Sequence, residues 1–146
     1  MLEGLRQNVT VPNSRVLHLH TERQGATPQV TMRGVLESLP RSRRIAVLCY
    51  NDVNALGALE AVEEAGRSED VAILSQGAVR EVRLQLRKRR SAIWGAVAHF
   101  PERFGQSLVP LMMRVLRGES IPSTTYTEHV LLTASNVSRY YSDGDA

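Results

Sequence analysis

Residues 44–66, RIAVLCYNDVNALGALEAVEEAG, decide the fold of this 146-residue chain. Residues 45–49 form a continuous apolar run, which is typical of a parallel strand covered on both faces. A polar pair, Asn51-Asp52, follows, and then an amphipathic helix that ends at Gly66. Open α/β sheets bind ligands at the carboxyl ends of their strands, so the position of Asn51 favours a ligand contact. The alternative interpretation is that both polar residues only shape the turn. We expect Asp52 to cap the helix.

The bulk composition is that of an ordinary globular domain. Apolar residues make up 42% of the chain and charged residues 23%, which argues against disorder. The net charge of +3 does not by itself imply a nucleic-acid partner. Cys49 is the only cysteine, so an internal disulfide is impossible. No apolar run approaches the length of a membrane span, and the first residues have no signal-peptide core.

Strand and helix patterns alternate along the chain, which predicts an α/β fold with a parallel sheet flanked by helices. The predicted strands are 16–20, 45–49, 71–74 and 92–98, and residues 124–133 are expected to be extended. The predicted helices are 27–39, 53–66, 79–88 and 101–117, the last with a kink at Pro110, and Asn136 caps a last turn.

Five segments resemble, in order and in spacing, the second lobe of type I periplasmic binding proteins, whose sugar-binding fold lac-repressor-type regulators share. They are NDVNALGA at 51–58, EAGRSEDVAIL at 64–74, HFPERFG at 99–105, LRGESIP at 116–122 and TASNVSRYY at 133–141. The resemblance implies a partial lobe of that fold. Members of the family have two α/β lobes, joined by three hinge strands, that clamp a small polar molecule such as a sugar.

The resemblance also implies how the chain is divided. Residues 1–99 correspond to a partial second lobe, residues 100–128 to a segment that packs on a first lobe, and residues 129–146 to the return to the second lobe. By this comparison the first lobe is missing, as is a strand between residues 16–20 and 45–49. We therefore expect a fragment of a longer protein, and we expect the isolated chain to self-associate through its uncovered apolar surfaces.

Four residues are candidate ligand contacts by the resemblance. Asn51 matches a family asparagine that hydrogen-bonds ligand hydroxyls, which suits an amide because it both donates and accepts. Gln76 replaces the aspartate of the family's usual Gly-aromatic-Asp pattern. His99 falls at the second hinge, where it is either a ligand contact or a structural residue. Arg23 falls in a ligand-facing loop, and its planar fork can grip hydroxyls or a carboxylate.

The sequence offers weaker evidence for a metal site, for nucleic-acid binding or for catalysis than for ligand binding. His18, His20 and Glu22 alternate on one face and resemble part of a zinc set, but no fourth ligand accompanies them, so we predict no metal. The basic cluster from Arg80 to Arg90 has no interleaved aromatic residues, so we interpret it as a solvated face without nucleic-acid contact. We expect Trp94 to pack in the core or cover the sheet.

We find no set of catalytic groups and no P-loop, and therefore predict neither an enzyme nor a cofactor.

The sequence thus predicts a binding module. The leading hypothesis is the ligand-binding portion of a sugar-type solute-binding protein that serves an ABC importer and its permease, closing around a small polar ligand by hinge motion. The alternative is the effector-sensing domain of a lac-repressor-type transcriptional regulator. The first implies a periplasmic or extracellular-facing location and the second a cytoplasmic one.

Overall fold

The computed structural model describes residues 1–21 and 26–142. Arg23, one of the candidate ligand contacts, lies outside the described residues, as does Glu22 of the zinc set that we considered. The α/β fold with a sheet flanked by helices is confirmed.

The sheet of the described residues has four strands in the order β1-β2-β3-β4. The strands are β1 (Ile45–Leu48), β2 (Val71–Gly77), β3 (Ile93–Ala98) and β4 (Val130–Leu132). The first three are parallel, and β4 pairs antiparallel with β3 through Ala98 and Val130. The sheet is therefore mixed rather than purely parallel, because the chain leaves β3, runs through residues 101–128 and returns in the opposite direction.

The helices begin and end close to the predicted boundaries. They are α1 (Leu2–Arg6), α2 (Pro28–Ser38), α3 (Asp52–Glu64), α4 (Arg80–Arg87), α5 (Phe104–Leu116) and α6 (Val137–Tyr140). Thr27 caps α2 by accepting a hydrogen bond from the Val30 N–H at 3.3 Å. Gly66 and Gly118 follow α3 and α5 with φ values of 61° and 70°, the left-handed conformation that ends helices. None of the described helices has the length and apolar character needed to cross a membrane.

The core lies between the sheet and helices α2, α3, α4 and α6. Its largest fully buried side chains are Phe100, Ile73, Leu86, Leu132 and Val62. Phe100 stacks on Tyr141 with ring centroids 5.8 Å apart, which ties the end of β3 to the last described residues of the chain.

Arg67 is a buried polar clamp beside this core, with only 2% of its surface exposed. Its guanidinium donates to four backbone carbonyl oxygens between α2 and β1, at 3.1–3.3 Å, and pairs with Asp70 at 3.3 Å. The four acceptors are the carbonyls of Leu36, Leu39, Pro40 and Arg43. One buried side chain thus holds the end of α2 and the segment that leads to β1 in place.

The predicted strand at residues 16–20 is wrong. This segment forms no ladder with any described strand, and Leu17 and Leu19 are exposed. A groove separates it from β1, with cavities of about 450 and 420 Å³ lined by both segments. A strand is defined by its ladder partner, and the edge of β1 is not within hydrogen-bonding reach of residues 16–20.

Helix α5 contains no buried residue and runs through Pro110. Its exposed apolar side chains are Leu108, Val109, Met112, Met113, Val115 and Leu116. The helix packs mainly against the short turn Pro101–Arg103 that precedes it. The apolar stripe that the sequence predicted for this segment therefore faces no sheet within the described chain.

We predict that Arg67→Ala lowers the free energy of unfolding by about 3 kcal/mol, because it removes a buried guanidinium that makes four hydrogen bonds to carbonyls and an ion pair with Asp70. Urea denaturation followed by circular dichroism measures this. Arg44→Ala is the matched control, since Arg44 is exposed and should change stability by only about 0.5 kcal/mol. Equal effects of the two substitutions would contradict the clamp.

We also predict that the chain self-associates through α5, because contiguous exposed apolar surface drives association. Light scattering should show species larger than the monomer, and the double substitution Leu108→Gln, Met112→Gln should raise the monomer fraction. Ser107→Gln adds the same polar side chain to α5 without removing an apolar one and should leave the distribution unchanged. Association that is insensitive to the double substitution would assign it to another surface.

Candidate functional site

Polar residues follow the carboxyl ends of three neighbouring strands. Asn51 follows β1, Gln76 lies near the end of β2, and His99 comes directly after β3. Leu48 is paired with Leu74, and Gln76 with Val97, so the three strand ends lie side by side. We call Asn51, Gln76 and His99 the strand-end edge. In open α/β sheets this is the edge that binds ligands.

Asn51, rather than Asp52, is the cap of α3. Its Oδ1 accepts a hydrogen bond from the Asn54 N–H at 2.9 Å, and its backbone is extended. Its side-chain amide NH₂ donates to no acceptor within residues 1–21 and 26–142, and the residue is partly exposed. The cap uses only the oxygen, which leaves the donor end of the amide for an external hydroxyl or carbonyl.

Asp52 was expected to cap the helix, and that expectation is wrong. Its side chain is buried, with 4% of the residue exposed, and crosses to the neighbouring strand connection. One carboxylate oxygen accepts a short hydrogen bond from the Ser75 hydroxyl, and the other accepts from the Val79 N–H at 2.6 Å. A buried carboxylate needs such donors, because an unpaired buried charge is far more costly than an exposed one.

The turn after β2 wraps closely around this carboxylate. Gly77 has a φ of 135°, and a Cβ at this position would lie 2.5 Å from Asp52 Oδ2. Ala78 follows with a φ of 63°, in the left-handed region that non-glycine residues seldom occupy. The Asp52 hydrogen bonds hold this unfavourable backbone in place, and they thereby fix where Gln76 is presented.

Gln76 and His99 stand at the edge with different exposure. Gln76 is exposed while its neighbour Ser75 is buried, so the alternation along β2 directs the glutamine out of the core. His99 is partly buried, and its ring contacts the ring of His129 edge-to-face, with centroids 4.7 Å apart. Both histidines lie one residue beyond the paired Ala98 and Val130, where the chain leaves and re-enters the sheet.

A cavity of about 420 Å³ lies at the carboxyl end of β1. Its polar lining includes His20, Thr21, Thr31, Tyr50 and Asn54, and Asn51 is not among the lining residues. The Thr21 hydroxyl donates to Asn54 Oδ1 at 3.2 Å, which joins the 16–21 segment to the start of α3. The structure therefore places Asn51 beside this cavity rather than in its wall.

Sequence reasoning missed Tyr50, Asn54 and His129 as members of this region. Tyr50 and Asn54 flank Asn51 in the same motif, and their proximity in sequence was an available signal. His129 had no such signal, because its contact with His99 depends on the register of β3 against β4 across the intervening residues 100–128.

The remaining reactive groups near the edge offer no catalytic set. Burial and the nearby Asp52 carboxylate raise the pKa of the Cys49 thiol to about 11, so the thiol is protonated at neutral pH. No group of three or more histidine, cysteine or acidic side chains that could hold a metal ion is found among residues 1–21 and 26–142.

The comparisons with known proteins agree with this architecture. A model of the family described as periplasmic binding protein-like domain matches residues 3–134. The chain belongs to this family. No curated protein matches the chain.

Solved structures share the fold of this periplasmic binding protein-like domain at low sequence identity. An ABC transporter solute-binding protein from Agrobacterium vitis with bound allitol is 20% identical, with a TM-score of 0.72, over 77% of this chain and 39% of that chain. One from Actinobacillus succinogenes with bound D-allose is 18% identical, with a TM-score of 0.69 and the same coverage.

A third solved structure, the fructose-binding periplasmic domain of a hybrid two-component system, is 22% identical with a TM-score of 0.64. The alignment covers 77% of this chain and 37% of that chain. The periplasmic binding protein-like domain thus spans well under half the length of these structures.

We predict that Gly77→Ala destabilises the domain by more than Gly66→Ala does. Both glycines have positive φ, which costs about 1–2 kcal/mol for alanine. Only at Gly77 does the added Cβ also meet the Asp52 carboxylate, whereas it meets nothing within 4 Å at Gly66. Thermal melts of the two variants compare them directly, and equal losses would show that Asp52 does not constrain the turn.

Proposed function

We propose that the chain supplies the second ligand-binding lobe of a sugar-type solute-binding protein of an ABC importer. The observation that carries the proposal is the strand-end edge, with Asn51, Gln76 and His99 on adjacent strand ends of a fold shared with proteins that bind allitol and D-allose. In this proposal the ligand is a small neutral polyhydroxylated molecule.

The chemistry of the edge supports such a ligand. Asn51 offers an amide donor, and Gln76 offers an exposed amide that both donates and accepts. His99 adds an imidazole beside that of His129. Sugar hydroxyls donate and accept in the same way, so neutral groups pair with them without the cost of burying a charge. Arg23, which lies outside the described residues, remains a proposed contact on the basis of the family resemblance.

We further propose that residues 1–99 form one wall of the site, that residues 100–128 pack on a first lobe, and that residues 129–146 return to the second lobe. The uncovered apolar side chains of α5 support this division. Closure of the lobes over the ligand would bury most of its surface, and binding energy would favour the closed state. The closed form would then deliver the ligand to the permease.

Effector sensing is the second candidate function. The solved fructose-binding domain is part of a two-component system, so a lobe of this fold also serves in signalling. A lac-repressor-type regulator would use the same edge for its effector. The coding sequence upstream of Met1 separates the two functions: an export signal ahead of a first lobe supports the importer, and a helix-turn-helix segment supports the regulator.

We predict that Asn51→Ala weakens binding of neutral sugars and polyols by about 0.5–1.5 kcal/mol, because one hydrogen bond to a neutral ligand is lost. Isothermal titration calorimetry on the protein with both lobes tests this with allitol, D-allose and D-fructose. Asn8→Ala removes an amide from an exposed turn far along the chain and is the control. Unchanged affinity in Asn51→Ala would remove Asn51 from the site.

A separate measurement keeps loss of folding distinct from loss of contact. Asn51→Asp and Asn51→Ser preserve the helix cap, since both side chains accept from the Asn54 N–H, but neither has the amide donor. Both should melt close to the unchanged protein and still bind more weakly. Tight binding by both variants would mean that Asn51 acts only as a cap.

A further inference from the structure

Trp94 is aimed into solvent by an irregularity in the sheet. Ile73 pairs with Ile93, but the next residue of β2, Leu74, pairs with Gly95, so Trp94 is an extra residue in β3. Its side chain is 64% exposed, although β3 has a neighbouring strand on each side. The expectation that Trp94 packs in the core is therefore wrong, whereas the alternative that it covers the sheet stays a prediction. Bulges of this kind redirect a side chain and are over-represented at functional positions.

Three cationic side chains line the same cavity as this indole. Lys88, Arg89 and Arg90 lie in the connection between α4 and β3, and all three are exposed. Together with Trp94 they line a cavity of about 480 Å³. We call these four residues the tryptophan patch. Within residues 1–21 and 26–142, none of the three cations forms an ion pair with a carboxylate.

The fold separates the tryptophan patch from the rest of the basic cluster. Arg83 and Arg87 of α4 turn away and donate to the carbonyl oxygens of Ala78 and Tyr141. The patch lies at the amino end of β3, whereas the strand-end edge lies at the carboxyl end. The sequence of the basic cluster does not reveal that a tryptophan lies beside it. Trp94 belongs to β3, the strand that follows the cluster in the chain.

We propose that the tryptophan patch is a docking surface for an acidic segment of another protein. Cations that form no ion pair within the described residues complement carboxylates on a partner. Tryptophan and arginine are the residues that most often anchor protein interfaces. The other polar lining consists mainly of the hydroxyls of Ser68, Ser91, Thr133 and Ser135, with Glu69 as the one acidic member. These groups suit hydrogen bonds to a peptide backbone.

Two other macromolecules fit this surface less well. Single-stranded nucleic acid is held by several aromatic platforms along a basic groove, and the patch has one aromatic residue. A membrane surface is held by several apolar side chains that insert together, whereas the lining around Trp94 is mostly hydroxyl-bearing and charged. The experiment below therefore also measures binding of a single-stranded nucleic acid and of a membrane surface.

The experiment uses the only tryptophan of the chain as its own reporter. An eight-residue polyglutamate peptide is titrated into the intact chain at concentrations where light scattering shows no association. We expect the peptide to change the Trp94 emission, with an affinity that falls as ionic strength rises. Substituting Lys88→Gln, Arg89→Gln and Arg90→Gln together should weaken binding about tenfold or more, measured by calorimetry.

The controls separate a local site from general attraction. Arg43→Gln, Arg44→Gln and Arg139→Gln remove the same charge from exposed positions elsewhere and should leave affinity within about twofold. Trp94→Ala should weaken the affinity for the peptide about tenfold, and Trp94→Phe should weaken it less, because an aromatic ring is kept. Equal losses in the two triple variants, or peptide binding without any change in Trp94 emission, would overturn the proposal. So would tighter binding of an oligothymidylate or of anionic phosphatidylserine vesicles than of the peptide.

Discussion

The buried carboxylate of Asp52 is the constraint on which the strand-end edge depends. It is the first residue of α3, yet one of its oxygens accepts from Ser75 within β2 and the other from the Val79 N–H after β2. This ties the ends of two neighbouring strands together below the surface. Because the carboxylate fills the space where a Cβ would stand, residue 77 must be glycine, and the turn it forms carries the left-handed Ala78. The positions of Asn51 and Gln76 therefore depend on Asp52, whose own side chain is buried.

Much of this fold follows from local sequence. The apolar run at residues 45–49 could only be a strand or a short buried helix segment, and its length and β-branched content decide for the strand. Helix ends also follow from single residues. The Thr27 side chain caps the start of α2, and the positive φ of Gly66 and Gly118 ends α3 and α5. These effects do not depend on distant parts of the sequence. These features were predicted because their physical causes lie within a few residues.

The features that were missed have causes elsewhere in the chain. Residues 16–20 have strand composition but lack a ladder partner, and pairing is a property of two segments. Asp52 has the sequence position of a helix cap, but its carboxylate oxygens accept hydrogen bonds from Ser75 and Val79 instead. Trp94 lies in an apolar run, and only the register of β2 against β3 reveals that it is the unpaired residue. The candidates Asn51, Gln76 and His99 came from the family resemblance, and the parallel order of β1, β2 and β3 is what brings these positions, distant in sequence, to neighbouring strand ends.

The same constraint bears on which ligands the edge can accept. A carboxylate facing the ligand would favour a sugar gripped through two hydroxyls, or a cation. Here Asp52 is committed to the fold, and Gln76 stands where the family pattern has its aspartate. Asn51, Gln76 and the paired rings of His99 and His129 are amides and imidazoles, which pair with hydroxyls of either polarity. An anionic or cationic ligand would leave its charge without a fixed counter-charge from these groups once water is expelled, at a cost that neutral hydrogen bonds do not repay. Under the proposed function, the commitment of Asp52 to the fold thus leaves amides and imidazoles, rather than a carboxylate, for the ligand at the strand-end edge.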